Sequence, residues 1–418
     1  MFIKIAINSL ISRRVTAWLT ILSVATSLFV LLAVKQITSQ AKTSFGRTVS
    51  GVDLIVGART GQLNLLLASV FRIGYVSNSV SWPSYQAIKH QKHVSWAIPI
   101  SLGDSHKGYP VLGTTTQYFD VFKYGNKQSL KMAQGQAFVA DAFDSAQVVL
   151  GAGIAEKLGY TLGQELVLSH GVGVTSFSHH DHVKFTVSGI LEFTGTPIDQ
   201  TLHISLSGLE VMHDKEHAIE SGDTHLEHEH HAHEDVEKVS AVLVGVKAKF
   251  ATLFMQKFVN EYKQEPLMAI IPGVALTELW QMMASMEKVL LLISVLVLLA
   301  TLLGMSTMLL ASMRERSREI SILRALGASP WFVFCLIELE VLVLTLISLL
   351  LALVMVWGVS IVAAPILSAH YGIFIDVKFW GDDVYSIVAS VLVVSLIMGL
   401  LPAINAYKNA LQTGLLVK

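Results

Sequence analysis

The sequence predicts a membrane α-helical protein with four transmembrane helices, arranged one plus three. A large α+β extracytoplasmic domain is inserted between helices 1 and 2. Three observations predict this. Hydrophobic residues make up 52% of the 418 and charged residues only 15%, where soluble domains carry about 25% charged. Four charge-free apolar runs stand out: Val15–Val34, Val289–Met313, Val341–Ala369 and Tyr385–Ala406. Each is long enough to cross ~30 Å of hydrocarbon, which takes about 20 helical residues. Between the first run and the second lies a stretch with the opposite texture, in which short apolar segments are broken by Gly, Pro and polar clusters.

A helix is the form expected for each run, because in lipid every backbone polar group must be satisfied within its own segment. The first run invites a second reading as a signal peptide, with Ser39-Gln40-Ala41 as a small-residue cleavage site. It exceeds the usual apolar core of about 7–15 residues, and 14 residues precede it. An uncleaved span is therefore expected. Orientation follows from Lys and Arg in the short flanks. Lys4, Arg13 and Arg14 precede span one, and Arg314, Arg316, Arg318 and Arg324 lie between spans two and three. Lys408 and Lys418 follow span four, whereas the loop between spans three and four has Lys378 against Asp376, Asp382 and Asp383. Both termini and the arginine-rich loop should face the cytoplasm, and the large insertion should face the periplasm.

Composition also excludes. Thirty basic residues against 31 acidic ones give a net charge of −1, which leaves no global field to hold nucleic acid. The single cysteine, Cys335, allows no intrachain disulfide and no cysteine-based metal site. The external domain must then be held together by its own core, for which about 230 residues is ample.

Within the insertion, strands are predicted at Asp53–Val56, Ser95–Ile100, Val111–Gly113, Gln147–Leu150, Glu165–Ser169, Val183–Phe193, His203–Leu206 and Val239–Val246. Residues 183–188 alternate as a half-buried strand should. Phe250–Tyr262 reads as a helix with Leu253, Phe254, Phe258 and Tyr262 on one face. Both membrane-proximal edges carry helical stripes: Ile37, Ala41, Phe45 and Thr48 after span one, and Leu276, Leu279, Met283 and Met286 before span two. The stripes can pair as a short stalk, or each can pack on the external domain. The expected division is 1–48 for the N-terminus, first span and stalk, and 49–274 for the periplasmic domain with a His-rich loop at 213–237. Stalk and second span follow at 275–313, a cytoplasmic helix at 314–330, and spans three and four with the tail at 331–418.

The stretch Met313-Arg-Glu-Arg-Ser-Arg-Glu-Ile-Ser-Ile-Leu-Arg-Ala-Leu-Gly-Ala-Ser-Pro330 begins where span two leaves the membrane. Ile320, Leu323 and Leu326 make an apolar stripe; Gly327 is placed to stop the helix and Pro330 to open the next. Such a helix can rest in the lipid interface with its arginines near anionic headgroups, or insert into a groove on a cytoplasmic partner. Residue physics leaves these alternatives open. The pattern Arg318-Glu319-Ile320-x-Ile322-Leu323-Arg324-Ala325-Leu326-Gly327-Ala328-Ser329 resembles the signature of FtsX-like permeases, which include the MacB and LolC/LolE types of ABC transporter. The one-plus-three topology resembles that family too, as does the tail Pro402-Ala403-x-x-Ala406. Asp53-Leu-Ile-Val-Gly-Ala58, Val111-Leu-Gly-Thr114 and Gly195-Thr-Pro-Ile-Asp199 are similar to one branch of it.

The resemblance implies a multi-pass protein of the bacterial inner membrane. It would work as a homodimer or paralogous heterodimer, bind a cytoplasmic ABC ATPase, transmit ATP-driven closure to the periplasmic domains, and in some cases use a periplasmic accessory protein. The loop would be the coupling helix, with Glu315, Arg318, Glu319 and Arg324 as polar contacts and Ile320 and Leu323 as apolar anchors. Glu338 and Glu340, near the start of span three, are read as structural or coupling residues, since no membrane relay partner accompanies them.

Histidine is the compositional oddity, with 12 of 16 between His170 and His233. Residues 213–237 hold seven histidines and nine acids against Lys215, and few apolar side chains. His225, His228, His230, His231 and His233, with His179, His180 and His182 upstream, form a candidate collector for zinc or another transition metal, because neutral imidazole and carboxylate suit such ions. No tightly bound cofactor is expected. No His-Glu-x-x-His, phosphate loop or nucleophile elbow occurs, and Gly151-Ala-Gly153 reads as a turn because Glu156 stands where a dinucleotide fingerprint needs glycine. A non-catalytic subunit is expected. Three cargo readings stay open: transition-metal handling, extraction of lipoproteins or hydrophobic molecules, and a signalling scaffold that moves nothing.

Overall fold

The computed structural model describes residues 10, 13–49, 51–74, 78–125, 127–139, 146–170, 179–210, 237–315, 321–322, 327–371 and 382–415. Helix α1 spans Arg14–Thr48. The insertion follows as β1 (Leu54–Ala58), α2 (Gln62–Phe71), β2 (Val80–Ser81), α3 (Trp82–Lys89), β3 (Val94–His106), β4 (Tyr109–Thr114) and α4 (Gln117–Val121). Next come β5 (Lys123–Tyr124), β6 (Gln128–Ser129), β7 (Met132–Gly135), β8 (Gln147–Leu150), α5 (Ala152–Leu158), β9 (Glu165–His170) and β10 (His179–Leu191). A 3-10 turn at Pro197–Gln200 leads to β11 (Leu202–Ser205), and then come β12 (Lys238–Val239), β13 (Ala241–Val246), α6 (Ala251–Asn260) and β14 (Leu267–Ile270). The chain closes with α7 (Pro272–Glu315), α8 (Pro330–Tyr371) and α9 (Asp382–Leu415).

Four helices are long and apolar enough to cross a membrane: α1, α7, α8 and α9, in the one-plus-three order. Hydroxyls along them are satisfied locally, as hydrocarbon demands. Thr26 and Ser294 bond the carbonyls four residues back, as do Thr345 and Ser348. By contacts the chain divides into two compact units: Met1–Ser39 with Ala284–Ala363 and Asp376–Lys418, and Gln40–Met283 with Ala364–Ile375. The first has a core of Val24, Leu28, Leu302, Met305, Val341, Leu344 and Val391.

The second unit is built on a ten-stranded mixed sheet in the order β14-β1-β13-β3-β4-β11-β8-β10-β7, with β9 against β10 and β3. β3 is the seam. Its first half pairs β13 and its second half pairs β4 and β9. β1 and β13 are buried on both faces, so they read as continuous apolar runs rather than alternating ones. Leu54, Val56, Val242 and Val244 face a layer containing Tyr85 of α3 and Met255 of α6. Ile55, Leu243 and Ile270 face the opposite layer, which holds Leu65 and Leu66 of α2 with Leu276 of α7. A third cluster joins Ile154 of α5 to Val148, Phe185 and Ile204.

The predicted strands recur within a few residues, and helix 250–262 appears as α6, but it buries Ala251, Met255 and Val259 and leaves Leu253 and Phe254 of the predicted face exposed. The elements the sequence reading omitted include α2, α3, α4, β7 and β14. α2 buries Leu65, Leu66, Ala68, Ser69, Val70 and Phe71, so it is apolar around most of its girth and lacks a periodic stripe. β14 is four residues behind Pro266 and pairs only with β1 among the described strands.

Gly151-Ala-Gly153 is the N-terminus of α5, pressed against the 197–200 turn. A Cβ on Gly151 would lie 2.3 Å from the Ile198 carbonyl oxygen. The glycines therefore serve close backbone approach rather than a nucleotide. Gly151→Ala is expected to destabilise the protein by about 1–3 kcal/mol through overpacking against backbone, measured by thermal unfolding of the solubilised chain.

Candidate functional site

The cytoplasmic end of the membrane unit is tied together before the loop begins. Arg13, ahead of α1, donates through a guanidinium nitrogen to the Ser312 hydroxyl near the end of α7. Met313 of α7 and Phe334 of α8 pack on Val333, Ile337, Ala403 and Ala406, which joins α7, α8 and α9. The Ser306 hydroxyl bonds the Met398 carbonyl at 2.9 Å, a second α7–α9 tie. Glu315 closes α7, and Gly327 takes φ +96°, a conformation that favours glycine. Ser329 accepts the Phe332 N–H at 3.2 Å through its hydroxyl, and Pro330 starts α8 as expected. Ile322 is 61% exposed and Trp331, stacked on Phe334 at 4.8 Å, is 63% exposed. Of the predicted coupling residues, Arg318, Glu319, Ile320, Leu323 and Arg324 lie outside the described residues, and Glu315 is placed by its backbone.

Glu338 lies about two turns into α8 from this end. Its two carboxylate oxygens are buried without a hydrogen-bond partner among the described residues. A Cβ on Gly399 would be 3.0 Å from Glu338 Oε2, so glycine on α9 makes room for the carboxyl. Glu340 is buried as well.

At the other end, the two predicted stripes meet on the external domain. Phe45 of α1 stacks on Phe71 of α2, with centroids 4.4 Å apart, and meets Trp280 of α7 edge-on at 5.6 Å. Lys42 sits 5.9 Å over the Trp280 ring. Val49, Val52, Ala275 and Leu276 continue this contact into the domain core. Phe45, Leu276 and Leu279 of the predicted stripes thus pack on the domain core, while Ile37, Met283 and Met286 are exposed.

Next to Phe71 lies a polar group that the sequence reading missed. Arg72 caps α2 with φ +59°, and its guanidinium donates to the Ser69 carbonyl. His203 is 0% exposed, with the Tyr118 ring 5.5 Å away and the Phe119 ring 5.8 Å away. Burial, with Arg72 acting the same way, pushes the imidazole down to about 3 against the pull of the Val149 backbone. Burial pushes the Tyr118 hydroxyl up to about 12, opposed by Arg72. The available signal was one polar residue inside each apolar run, Val70-Phe71-Arg72-Ile73 and Leu202-His203-Ile204.

The motif Gly195-Thr-Pro-Ile-Asp199 is a capped turn. Asp199 Oδ1 accepts the Thr194 N–H at 2.9 Å and its hydroxyl at 2.8 Å, and Oδ2 accepts the Gly195 N–H at 2.7 Å. Burial raises the carboxyl, and these donors hold it down. Of the candidate metal ligands, His179, His180 and His182 fall at the start of β10. His225, His228, His230, His231 and His233 lie outside the described residues. Among the described residues no cluster of three or more potential metal ligands occurs.

Comparison with known families agrees with this architecture. The MacB-like periplasmic core domain matches residues 17–246, and the FtsX-like permease C-terminal domain matches residues 291–411. The chain belongs to the FtsX/MacB-type family of ABC transporter permeases, multi-pass proteins of the bacterial inner membrane that work with a cytoplasmic ABC ATPase. Similar solved structures include the periplasmic region of MacB from Actinobacillus actinomycetemcomitans, 11% identical, covering 56% of this chain and 97% of that one with a TM-score of 0.34. Another is the extracellular domain of YknZ, a noncanonic ABC-type transporter from Gram-positive bacteria. It is 12% identical and covers 52% of this chain and 98% of that one, with a TM-score of 0.29. No curated protein matches the sequence.

Two outcomes follow from the site. Asp199→Ala strands buried Thr194 and Gly195 donors and is expected to cost about 2–4 kcal/mol, at one to two unmet hydrogen bonds, read in denaturant unfolding. His203 should make the protein acid-sensitive. Its folded pKa, about 3, lies below the ordinary 6.5. The unfolded chain therefore takes up the proton first, and stability falls as pH drops from 6.5 towards 3. His203→Phe should flatten that part of the unfolding midpoint's pH profile.

Proposed function

We propose that this permease is a mechanotransmission subunit: ATP-driven movement beneath the membrane is carried along α1 and α7 to the external domain. The observation that supports it is the continuity of those two helices. α1 runs 35 residues and α7 runs 44 without a break. Each joins a membrane-length apolar segment to the aromatic joint at Phe45, Phe71 and Trp280. A helix resists axial compression through its hydrogen-bond ladder, so a displacement at one end has no slack to disappear into. The reaction chemistry belongs to the ATPase, and this chain supplies the lever. The loop 314–330 is the handle, with Ile320 and Leu323 as anchors and Glu315, Arg318, Glu319 and Arg324 as polar contacts. Two copies, or two paralogues, would be driven together, with or without a periplasmic accessory protein.

Ile320→Asp with Leu323→Asp is expected to release the ATPase subunit. Unchanged co-purification and unchanged ATPase stimulation would refute the handle. Phe45→Ala is expected to leave ATPase binding intact while lowering transport-linked activity, and equal loss of both would point to misfolding instead.

For the cargo, the histidine content at 179–182 and 213–237 supports transition-metal handling, zinc above all. Removing residues 214–237 should then alter growth under chelation or metal excess. No change in either condition favours lipoprotein or hydrophobic-molecule extraction. Capture of a cell-wall enzyme by the intact protein, without transport, favours the signalling scaffold.

A further inference from the structure

We propose that Arg72, Tyr118 and His203 form a binding site for a small inorganic anion inside the external domain. Three facts carry this. The first is unmet donors. Among the described residues, Arg72 Nε, the Tyr118 hydroxyl and both His203 ring nitrogens are buried without a partner at full hydrogen-bond geometry, although Tyr118 lies beside Arg72 and His203 beside the Val149 backbone. Native proteins rarely leave such groups empty, and several together mark a site for water or an ion.

The second is unbalanced charge. Arg72 is a half-buried guanidinium whose charge burial disfavours, and the groups acting on it are Tyr118 and His203, both uncharged at neutral pH. Water would satisfy the hydrogen bonds and leave the charge; an anion satisfies both. All three residues can donate: guanidinium N–H, phenol O–H and one imidazole N–H. Donors without a carboxylate select an anion and repel a metal cation.

The third is position. Arg72 holds the left-handed cap of α2, with φ +59°, where glycine is the residue of least strain. An arginine kept there at a conformational cost is kept for its side chain. The preceding residue, Phe71, stacks on Phe45, so an occupied site would stiffen the place where α1 enters the domain. This inference does not depend on the coupling mechanism above.

The experiment is thermal unfolding of the purified full chain in detergent at constant ionic strength, replacing sodium gluconate stepwise with chloride or with inorganic phosphate. A midpoint that climbs with the logarithm of one of these anions is expected for the wild type, as for any ligand that binds only the folded state. Arg72→Gln should abolish the climb. Tyr118→Phe, which keeps the ring and removes one donor, should weaken the apparent affinity several-fold and serves if Arg72→Gln does not fold. A second readout is independent of fold strength. A bound anion favours protonated His203, so the acid-side loss of stability should flatten with the anion in the wild type and not in Arg72→Gln. No anion-specific climb in the wild type, or an equal climb in both variants, overturns the proposal and leaves the cluster as water-filled packing.

Discussion

The aromatic contact of Phe45 with Phe71 and Trp280 is the constraint on which the rest of the molecule depends. A membrane helix can deliver a displacement only to something that holds it. Phe45 is gripped from one side by the domain's own α2 and from the other by the returning helix α7. Below it the two helices are exposed at Ile37 and Met283; above it Val49, Val52 and Leu276 dissolve into the core. The joint is therefore narrow. Its stiffness comes from ring stacking and apolar burial, which are short-ranged and insensitive to salt.

The sheet behind that joint is suited to spreading a push. β3 is one strand of 13 residues that belongs to both halves, pairing β13 at its start and β4 with β9 at its end. β1 leads directly from the joint and β14 leads directly into α7. A displacement at either entry thus reaches a strand whose ladder bonds tie it to the rest. Two buried polar groups of the external domain, the Arg72 cluster and the Asp199 turn, differ in kind. Asp199 has its hydrogen bonds met by its neighbours, whereas among the described residues Arg72 Nε, the Tyr118 hydroxyl and the His203 ring nitrogens lack a partner at full hydrogen-bond geometry.

Much of this was legible in the sequence. Charge-free run length gives the spans directly, because hydrocarbon thickness sets one scale for all of them. Strands such as Gln147–Leu150 could be read because β-branched runs end at glycine. The stripes Ile37–Thr48 and Leu276–Met286 gave two alternatives, of which packing on the domain is seen at Phe45, Leu276 and Leu279, because helical spacing says which residues share a face and not what that face meets. Arg72 and His203 were invisible for a related reason: two polar residues far apart in the chain become a site only once the sheet brings β11 beside α2's end. The proposed handle at 318–324 was readable as an amphipathic stripe, yet its meaning came from family likeness, since the same stripe suits lipid or protein.

The joint also fixes an order of assembly. Phe45 emerges early in synthesis and Trp280 only after the entire external domain has been made. Until then Phe45 has only the α2 side of its joint, and the domain has no second anchor. Translation must finish the exported portion, the sheet must close its non-local parallel pairings β4–β11 and β8–β10, and only then can the two helices clasp. A chain truncated before the clasp would leave Phe45 and Phe71 as a naked greasy patch, the kind of surface that quality-control proteases and chaperones recognise. The aromatic clasp therefore closes only on a chain whose external domain has been completed.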